Sequence, residues 1–242
     1  MANKQQQHGR RVPVLARGMF VALALVGGGL TLALDEPAAQ EAKPGVLHDI
    51  ASTETSQTAV LAGGCFWGVQ AVFQHVAGVV GVRAGYAGGS AETATYEQTE
   101  TGTTGHAEAV EVTYDPRQVS YGRLLEIYFS VAHDPTQIGG QGPDRGPQYR
   151  LAIFPRDEKQ ANVASGYIAQ LNAAGVFSRP IATTIEQAKG FYQAEAYHQD
   201  YVYNNPGEPY VVIYEQPKVG ALRHLFPGLY REKPVLVADS AS

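Results

Sequence analysis

At residues 63–68 the sequence reads Gly63-Gly64-Cys65-Phe66-Trp67-Gly68, and this stretch joins two different patterns. Before it, the apolar run 59–62 predicts a strand that ends at the paired glycines. After it, apolar residues recur at the i, i+3, i+4, i+7 spacing of one helix face, at Val69, Val72, Phe73 and Val76. The pattern therefore predicts a strand, a tight turn and a helix that begins at or near Cys65.

Cys65 stands at the predicted turn, where it meets unpaired backbone N–H groups and the positive end of the helix dipole. Both stabilise a thiolate and can lower a cysteine pKa well below its usual value of about 8.5. The glycines on both sides allow a tight turn and leave room for a ligand. Phe66 and Trp67 would form an apolar wall beside the sulfur. A buried, inert cysteine is the alternative, and the flanking glycines favour the nucleophile.

Composition limits the kinds of site that the chain can hold. Cys65 is the only cysteine in 242 residues, which excludes an internal disulfide, an iron–sulfur cluster held by this chain alone and a zinc site with two cysteines. We predict no metal and no cofactor. The net charge of −5 lacks the Lys and Arg excess that nonspecific nucleic-acid binding needs, so we predict no nucleic-acid partner.

Beyond the first helix, strand and helix patterns alternate irregularly and are joined by long glycine-rich connections. Strands are predicted at 79–86, 106–114, 149–154 and 181–186, and helices over 157–174, over 195–203 and after Ser120. Ser120 is predicted to cap its helix, and Gly175 is predicted to end the helix over 157–174. The order predicts an α+β domain with an antiparallel or mixed sheet covered by helices.

Glu108 lies in a stretch in which alternate residues share one face of a strand. That face carries His106, Glu108, Val110, Val112 and Tyr114. A carboxyl group that faces an apolar layer has a raised pKa and can stay protonated near neutral pH, so Glu108 is a candidate general acid. Alternatively, Glu108 could pair with a basic residue, or the face could be wrongly assigned. His106 and Glu108 also resemble a metal pair, but no third ligand is in view.

Two tyrosines in polar, glycine-rich surroundings are candidate hydrogen-bond donors. Tyr96 lies in Thr95-Tyr96-Glu97, and Tyr149 follows the stretch 142–148. A phenol O–H group can donate a hydrogen bond to a polar oxygen. For either tyrosine alone, packing is the ordinary alternative.

The first 34 residues differ from the rest of the chain. They contain no acidic residue, and their basic residues are Lys4, Arg10, Arg11 and Arg17. The uncharged run 18–34 follows, a pattern typical of an export signal that is either cleaved or kept as a signal anchor. Such a segment would place the residues after 35 outside the cytoplasm. A twin-arginine address and a buried core helix are the alternatives.

Four parts follow along the chain: an export signal or signal anchor at 1–34, a flexible linker at 35–57, a folded domain at 58–231 and a loose tail at 232–242. The linker is rich in Ala, Glu, Pro, Ser and Thr and lacks apolar periodicity. We expect a monomer that touches a membrane only through its N-terminal segment.

Six motifs of the folded domain together resemble the peptide methionine sulfoxide reductases of the A type. They are GCFWG at 64–68, TYE at 95–97, GHAEAV at 105–110, GPDRGPQYR at 142–150, YHQDY at 197–201 and LRHLFPGLY at 222–230. The resemblance covers about 58–231. It implies a two-layer α/β sandwich with a ferredoxin-like core. It also implies reduction of methionine S-sulfoxide to methionine, which repairs oxidised proteins.

The resemblance implies a role for each matched residue. Cys65 matches the nucleophile and Glu108 matches the acid. Tyr96 and Tyr149 match the tyrosines that hold the sulfoxide oxygen. The other matches line the substrate pocket, Asp144 as a polar residue and Phe66 and Trp67 as the walls that receive the substrate methyl group.

The chain departs from relatives that carry resolving cysteines near the C-terminus, because residues 66–242 contain none. Leu151 also stands where a serine often follows the QYR motif, and we expect little effect from it. In the implied mechanism Cys65 attacks the polarised sulfoxide and becomes a sulfenic acid. We therefore expect an external thiol, from a thioredoxin-like partner or a small thiol, to reduce Cys65.

Two other classes of function stay open at this point. Cys65 with His106, His133 or His198 could form a Cys-His acyl-transfer hydrolase. A non-enzymatic, anchored module could instead bind methionine-containing peptides in an aromatic pocket.

Overall fold

The apolar run before Cys65 forms a central strand in the computed structural model, which describes residues 42–187 and 189–238. This strand, β1 (Gln57–Gly63), pairs antiparallel with a neighbour on each side. Its last five residues are all buried, as expected for a strand that is covered on both faces.

The other elements within the described residues follow in chain order. The strands are β2 (Val79–Ala87), β3 (Ala107–Tyr114), β4 (Gly140–Gln141), β5 (Asp144–Arg145), β6 (Leu151–Phe154), β7 (Thr184–Ile185) and β8 (Phe191–Gln193). The α-helices are α1 (Phe66–Gln74), α2 (Tyr96–Thr99), α3 (Tyr121–Ile127), α4 (Glu158–Ala173), α5 (Tyr201–Asn204) and α6 (Gln216–Leu225). Short 3₁₀ turns occupy Ala91–Thr93, Pro147–Tyr149 and Ala196–His198, and π-helical turns occupy Tyr128–Ala132 and Val211–Glu215.

Six of the described strands form one mixed sheet in the order β7-β6-β1-β3-β2-β8. Every pair is antiparallel except β6 with β7, which is parallel. The central part runs β1-α1-β2-β3-α3-β6 along the chain, which is the ferredoxin-like βαββαβ arrangement. The predicted α+β class, with a mixed sheet covered by helices, is confirmed.

The larger hydrophobic core lies where α1, α3 and α4 cover one face of the sheet. Alternate residues of β3 enter this core, as the sequence predicts, namely Val110, Val112 and Tyr114. The predicted face of α1 also enters it with Val69, Val72 and Phe73, and Val76 follows just after the helix ends at Gln74. Full burial of one such side chain contributes about 1.5–3 kcal/mol, so the two patterns together hold α1 on the sheet. A smaller core on the other face contains Ala107, Ala109 and Phe154.

Two helix starts follow the ordinary rule for capping residues. Ser120 caps α3, because its hydroxyl accepts a hydrogen bond from the backbone N–H of Arg123. Asp157 caps α4 in the same way by accepting from the backbone N–H of Gln160. The predicted cap at Ser120 is therefore confirmed.

Several predicted boundaries are wrong. The strand predicted at 181–186 is confined to β7, and the strand predicted at 149–154 begins only at β6, after a 3₁₀ turn. The single helix predicted over 195–203 is divided into a 3₁₀ turn and α5, because Gln199 is extended and Asp200 is left-handed, with φ +56°.

The sequence patterns did not predict α6 or the π-helical turn before it. The stretch 211–214, Val-Val-Ile-Tyr, has the composition of a strand, and Pro217 and Gly220 weaken the helical pattern that follows. Pro217 lies in the first turn of α6, where a missing N–H loses no intrahelical bond. Leu222 is buried in the larger core, so tertiary packing favours the helix.

The flanking segments are tied to the domain at several points. The hydroxyl of Tyr167 donates a hydrogen bond to the carbonyl of Pro44, and the Asp49 carboxylate accepts one from the N–H of Gly122, although 35–57 was predicted to be a flexible linker. Val235 is buried and donates its N–H to the carbonyl of Gln74, so the predicted loose tail is anchored there.

The predicted export signal or anchor at 1–34 lies outside the described residues. Across 42–187 and 189–238, every helix is too short or too polar to cross a membrane.

Gln199 is a buried side chain that bonds the edge of the sheet to α1. Its amide oxygen accepts hydrogen bonds from the N–H of Ala84 and the amide of Gln70. Its amide nitrogen donates to the carbonyls of Ala84 and Ala194. One side chain thus bonds both backbone groups of Ala84 in β2, whose carbonyl also accepts from the N–H of Ala194.

We expect Gln199→Ala to lower the free energy of unfolding by about 1–3 kcal/mol, because the buried N–H of Ala84 loses its hydrogen-bond partner. Urea denaturation followed by circular dichroism measures the loss. Gln98→Ala, on the exposed side of α2, is the matched control, with an expected change within about 0.5 kcal/mol. Equal losses in the two variants would contradict this role for Gln199.

Candidate active site

Cys65 occupies the N-cap position of α1, directly after the turn that ends β1. Its side chain is 7% exposed. Gly64 in this turn has φ +85°, and a Cβ atom there would lie 2.5 Å from the Cβ of Gln141, so the turn requires glycine. Cys65 borders a cavity of about 60 Å³ between the loop 141–144 and the start of α6.

Glu108 lies on the face of β3 that packs against α1, and its side chain reaches the first turn of that helix. Its Oε2 atom accepts a hydrogen bond from the backbone N–H of Phe66, with an N–O distance of 2.9 Å. The side chain is 2% exposed, and burial raises the pKa of the Glu108 carboxyl well above its usual value, although the Phe66 N–H opposes the shift. Burial therefore favours the protonated form of the carboxyl, the form that can donate a proton beside Cys65.

Burial also raises the pKa of the Cys65 thiol well above its usual value. Negative charge on Glu108 and Glu215 would raise it further, and Lys218 and the backbone N–H of Trp67 lower it. Burial is the largest of these effects. The lowered pKa expected at the start of the helix is wrong for this site, since desolvation outweighs the helix N–H groups. The resting site therefore holds a thiol.

The predicted aromatic wall forms around His198. The rings of Phe66 and Tyr96 lie 5.0 and 4.6 Å from the His198 ring, measured between centroids. Trp67 stacks on Tyr201 at 3.7 Å and donates its indole N–H to Nδ1 of His198 at 3.1 Å. An indole can only donate, so Nδ1 accepts and His198 is neutral. Burial lowers the pKa of His198 and favours the same state.

The three remaining predicted residues stand around these groups. Burial raises the pKa of Tyr96 to about 12 and that of Tyr149 further, so both phenols keep their protons. Charge on Glu108 would raise both values, so the two phenols lie within electrostatic range of the predicted acid. Tyr149 donates to the Glu100 carboxylate at 3.2 Å. Asp144 borders the Cys65 cavity and accepts a hydrogen bond from Tyr210 at 2.6 Å.

Sequence reasoning missed Gln141 and, from the C-terminal part, four further residues of this cavity, namely Tyr210, Tyr214, Glu215 and Lys218. These four come from the π-helical turn and the first turn of α6. Glu215 and Lys218 form an ion pair at 2.7 Å. Only their i,i+3 spacing in Tyr-Glu-Gln-Pro-Lys could have indicated the pair, and that spacing is common on exposed helices.

The histidines do not support the alternatives. Both ring nitrogens of His106 form hydrogen bonds with the backbone: Nδ1 accepts from the N–H of Gly89, and Nε2 bonds to the carbonyl of Ser90. Neither nitrogen is left to bind a metal, so the suggested metal pair of His106 and Glu108 is wrong. Nδ1 of His198 accepts from Trp67. Among the described residues that line the Cys65 cavity, none is a histidine.

A buried thiol, a buried carboxyl at the next residue's N–H and phenols within electrostatic range of that carboxyl fit an oxidoreductase that works through a single cysteine. A family model described as peptide methionine sulfoxide reductase matches residues 57–227. The chain belongs to this family, as its motifs indicate.

Relatives match the chain along its folded domain. The peptide methionine sulfoxide reductase MsrA 2 of Mesorhizobium japonicum is 56% identical over 187 residues, which cover 77% of this chain and 96% of the relative. The MsrA of Deinococcus radiodurans is 48% identical over 170 residues, covering 70% and 82%. The reduced form of Mxr1 from Saccharomyces cerevisiae has a TM-score of 0.57 at 30% identity and covers 67% of this chain and 92% of that one. The methionine sulfoxide reductase A of Corynebacterium diphtheriae has a TM-score of 0.55 at 36% identity, covering 64% and 77%.

We expect Glu108→Gln to reduce the rate about 10²–10⁴-fold, the usual contribution of a general acid, because glutamine can bond the sulfoxide oxygen but cannot protonate it. The wild-type rate should fall as pH rises through the raised pKa of Glu108, and the loss in the variant should shrink at low pH, where solvent supplies the proton. Chromatography of a dabsyl-labelled methionine sulfoxide measures both.

Glu111→Gln is the matched control, because Glu111 is a buried carboxylate on the other face of β3 that pairs with Arg83 and Arg156. Its rate should stay near wild type. A near wild-type rate for Glu108→Gln at neutral pH would remove Glu108 from the mechanism.

Proposed function

We propose that the chain reduces the S epimer of methionine sulfoxide, in proteins and peptides and as the free amino acid, with Cys65 as nucleophile and an external thiol as reductant. One observation carries the proposal. The hydrogen bond from the Phe66 N–H to Glu108 holds a protonated carboxyl against the residue that follows Cys65. Nucleophile and acid therefore stand side by side, and both are buried.

The first half of the reaction follows from these groups. A sulfoxide sulfur is a poor electrophile until its oxygen is protonated or strongly hydrogen-bonded. The Glu108 carboxyl supplies a proton, and Tyr96 and Tyr149 donate hydrogen bonds to the same oxygen. The Cys65 sulfur attacks and its thiol proton passes to Glu108, which restores the acid. The oxygen is transferred with the proton that Glu108 gave, and methionine leaves. Cys65 is then a sulfenic acid, the reversible stage of thiol oxidation.

The shape of the pocket favours one epimer. The oxygen donors lie on the side of Glu108, and the apolar wall of Phe66 and Trp67 is the place for the methyl group. A tetrahedral sulfoxide sulfur can meet both requirements, and present its sulfur to Cys65, in only one configuration.

The second half needs a thiol from elsewhere, because Cys65 is the only cysteine of the 242 residues. That thiol attacks the sulfenic acid to give a mixed disulfide and water, and a second thiol releases Cys65. A thioredoxin-fold partner is the proposed source, with a small thiol as the second choice.

We also propose that residues 1–34 export the domain or anchor it, so that it works as a monomer outside the cytoplasm. The basic flank and the uncharged run 18–34 support this placement. The thiol partner must then be supplied on the same side of the membrane. N-terminal sequencing of the protein recovered from fractionated cells tests export and cleavage, and an intact chain in the cytosol would contradict both.

We expect the full chain to reduce the S epimer of a peptidyl methionine sulfoxide and to leave the R epimer nearly untouched. Cys65→Ser should abolish turnover with either epimer. Chromatography of the two separated epimers with excess dithiothreitol measures the rates. Equal rates for S and R would contradict the arrangement of donors and wall.

Without a reductant, we expect at most one methionine to form per Cys65, because no second thiol of the chain can regenerate it. Dimedone should then label Cys65, as detected by mass spectrometry, and Cys65→Ser provides the unlabelled control. A thioredoxin with a Cys-x-x-Ser site should become trapped on Cys65 as a covalent complex. Sustained turnover with no added thiol would show that this recycling scheme is wrong.

A further inference from the structure

The cavity beside Cys65 contains a charged pair that the reduction of the sulfoxide does not use. The Nζ atom of Lys218 donates to Oε2 of Glu215 at 2.7 Å. The Glu215 side chain is 1% exposed, and its Oε1 atom has no hydrogen-bond partner among the residues that the structure describes. A buried carboxylate oxygen without a hydrogen bond costs free energy. Because Glu215 lines the Cys65 cavity, a ligand in that cavity that donates a hydrogen bond to it would remove this cost.

Gly68 is the feature of the GCFWG motif that admits this pair to the site. A Cβ atom at Gly68 would lie 1.5 Å from Oε2 of Glu215 and 3.0 Å from Nζ of Lys218. The absence of a side chain there lets both charged groups lie against the first turn of α1, next to Cys65. The positive charge of Lys218 also acts to lower the pKa of the Cys65 thiol, against the larger effect of burial.

The cavity is sized for the end of a thiol rather than for the methionine side chain. At about 60 Å³ it holds a few water molecules or a CH₂–SH group. Its lining includes the exposed residues Gly142, Pro143 and Tyr214, so it communicates with the surface. Phe66 and Trp67, which form the aromatic wall, do not line this cavity. The cavity is therefore distinct from the proposed pocket for the substrate methyl group.

We propose that Glu215 and Lys218 bind and activate the thiol that reduces the sulfenic acid of Cys65. Glu215 takes the thiol proton on its free oxygen, and Lys218 stabilises the negative charge on the incoming sulfur. That sulfur forms a bond to the Cys65 sulfur while the S–O bond breaks, and the oxygen leaves as water with the proton that Glu215 held. Cys65 is reduced and the incoming thiol is oxidised in the mixed disulfide. This step deepens the proposed function and rests on it.

The test isolates the thiol step. The full chain is first converted to its sulfenic acid with one equivalent of the S-sulfoxide, and dimedone labelling counts that acid. 2-Mercaptoethanol, glutathione or thioredoxin is then added, and stopped-flow Trp67 fluorescence gives the rate constant of reduction. Lys218→Met and Glu215→Gln should lower that constant about tenfold or more with all three reductants, and Lys218→Arg should restore most of it.

Arg223→Met is the matched control, because Arg223 lies on α6 as an exposed residue away from the cavity. Its rate constant should stay within about twofold of wild type. If Glu215→Gln does not fold, the comparison of Lys218→Met with Lys218→Arg still decides the role of the charge.

Several results would overturn the proposal. Rate constants near wild type in both variants would exclude the pair from the step. A loss confined to glutathione would show attraction of its carboxylates, and a loss confined to thioredoxin would show a protein contact. Variants that form no sulfenic acid when wild type does would place the pair in the first half-reaction. A wild-type chain that forms no sulfenic acid would instead contradict the proposed function itself.

Discussion

The hydrogen bond between the Phe66 N–H and the Glu108 carboxyl is the constraint on which the site depends. The first N–H groups of a helix have no partner within the helix, and here a carboxyl from β3 satisfies one of them where a capping side chain ordinarily would. The antiparallel pairing of β1 with β3 brings the two strands together, and α1 starts directly after β1. The register of the sheet and the start of α1 therefore together determine where Glu108 lies relative to Cys65.

Burial at this contact determines the charge state of both reacting groups. Removing water raises the pKa of Glu108 and of Cys65, so the resting site holds a protonated acid and a neutral thiol. A protonated acid suits the reaction, because the sulfoxide oxygen needs a proton before the sulfur accepts a nucleophile. A neutral thiol also resists oxidants other than the substrate, since reactivity toward them follows thiolate character and exposure.

Local patterns in the sequence predicted the parts of this arrangement that depend on local structure. The spacing around Cys65 predicted the strand, turn and helix, and the alternation over 106–114 predicted the face of Glu108. The direction of the Cys65 pKa was wrong because it depends on burial by distant segments. Glu215 and Lys218 were missed for a similar reason. They belong to a stretch with the composition of a strand, and packing beside Gly68 places them at the site.

Infrared spectroscopy of the resting enzyme tests the central claim most directly, because the C=O stretch of a protonated carboxyl is separate from the bands of a carboxylate. The difference spectrum between wild type and Glu108→Gln should show one protonated-carboxyl band at neutral pH. That band should disappear as pH rises through the raised pKa of Glu108. A difference spectrum with only carboxylate bands at neutral pH would contradict the account.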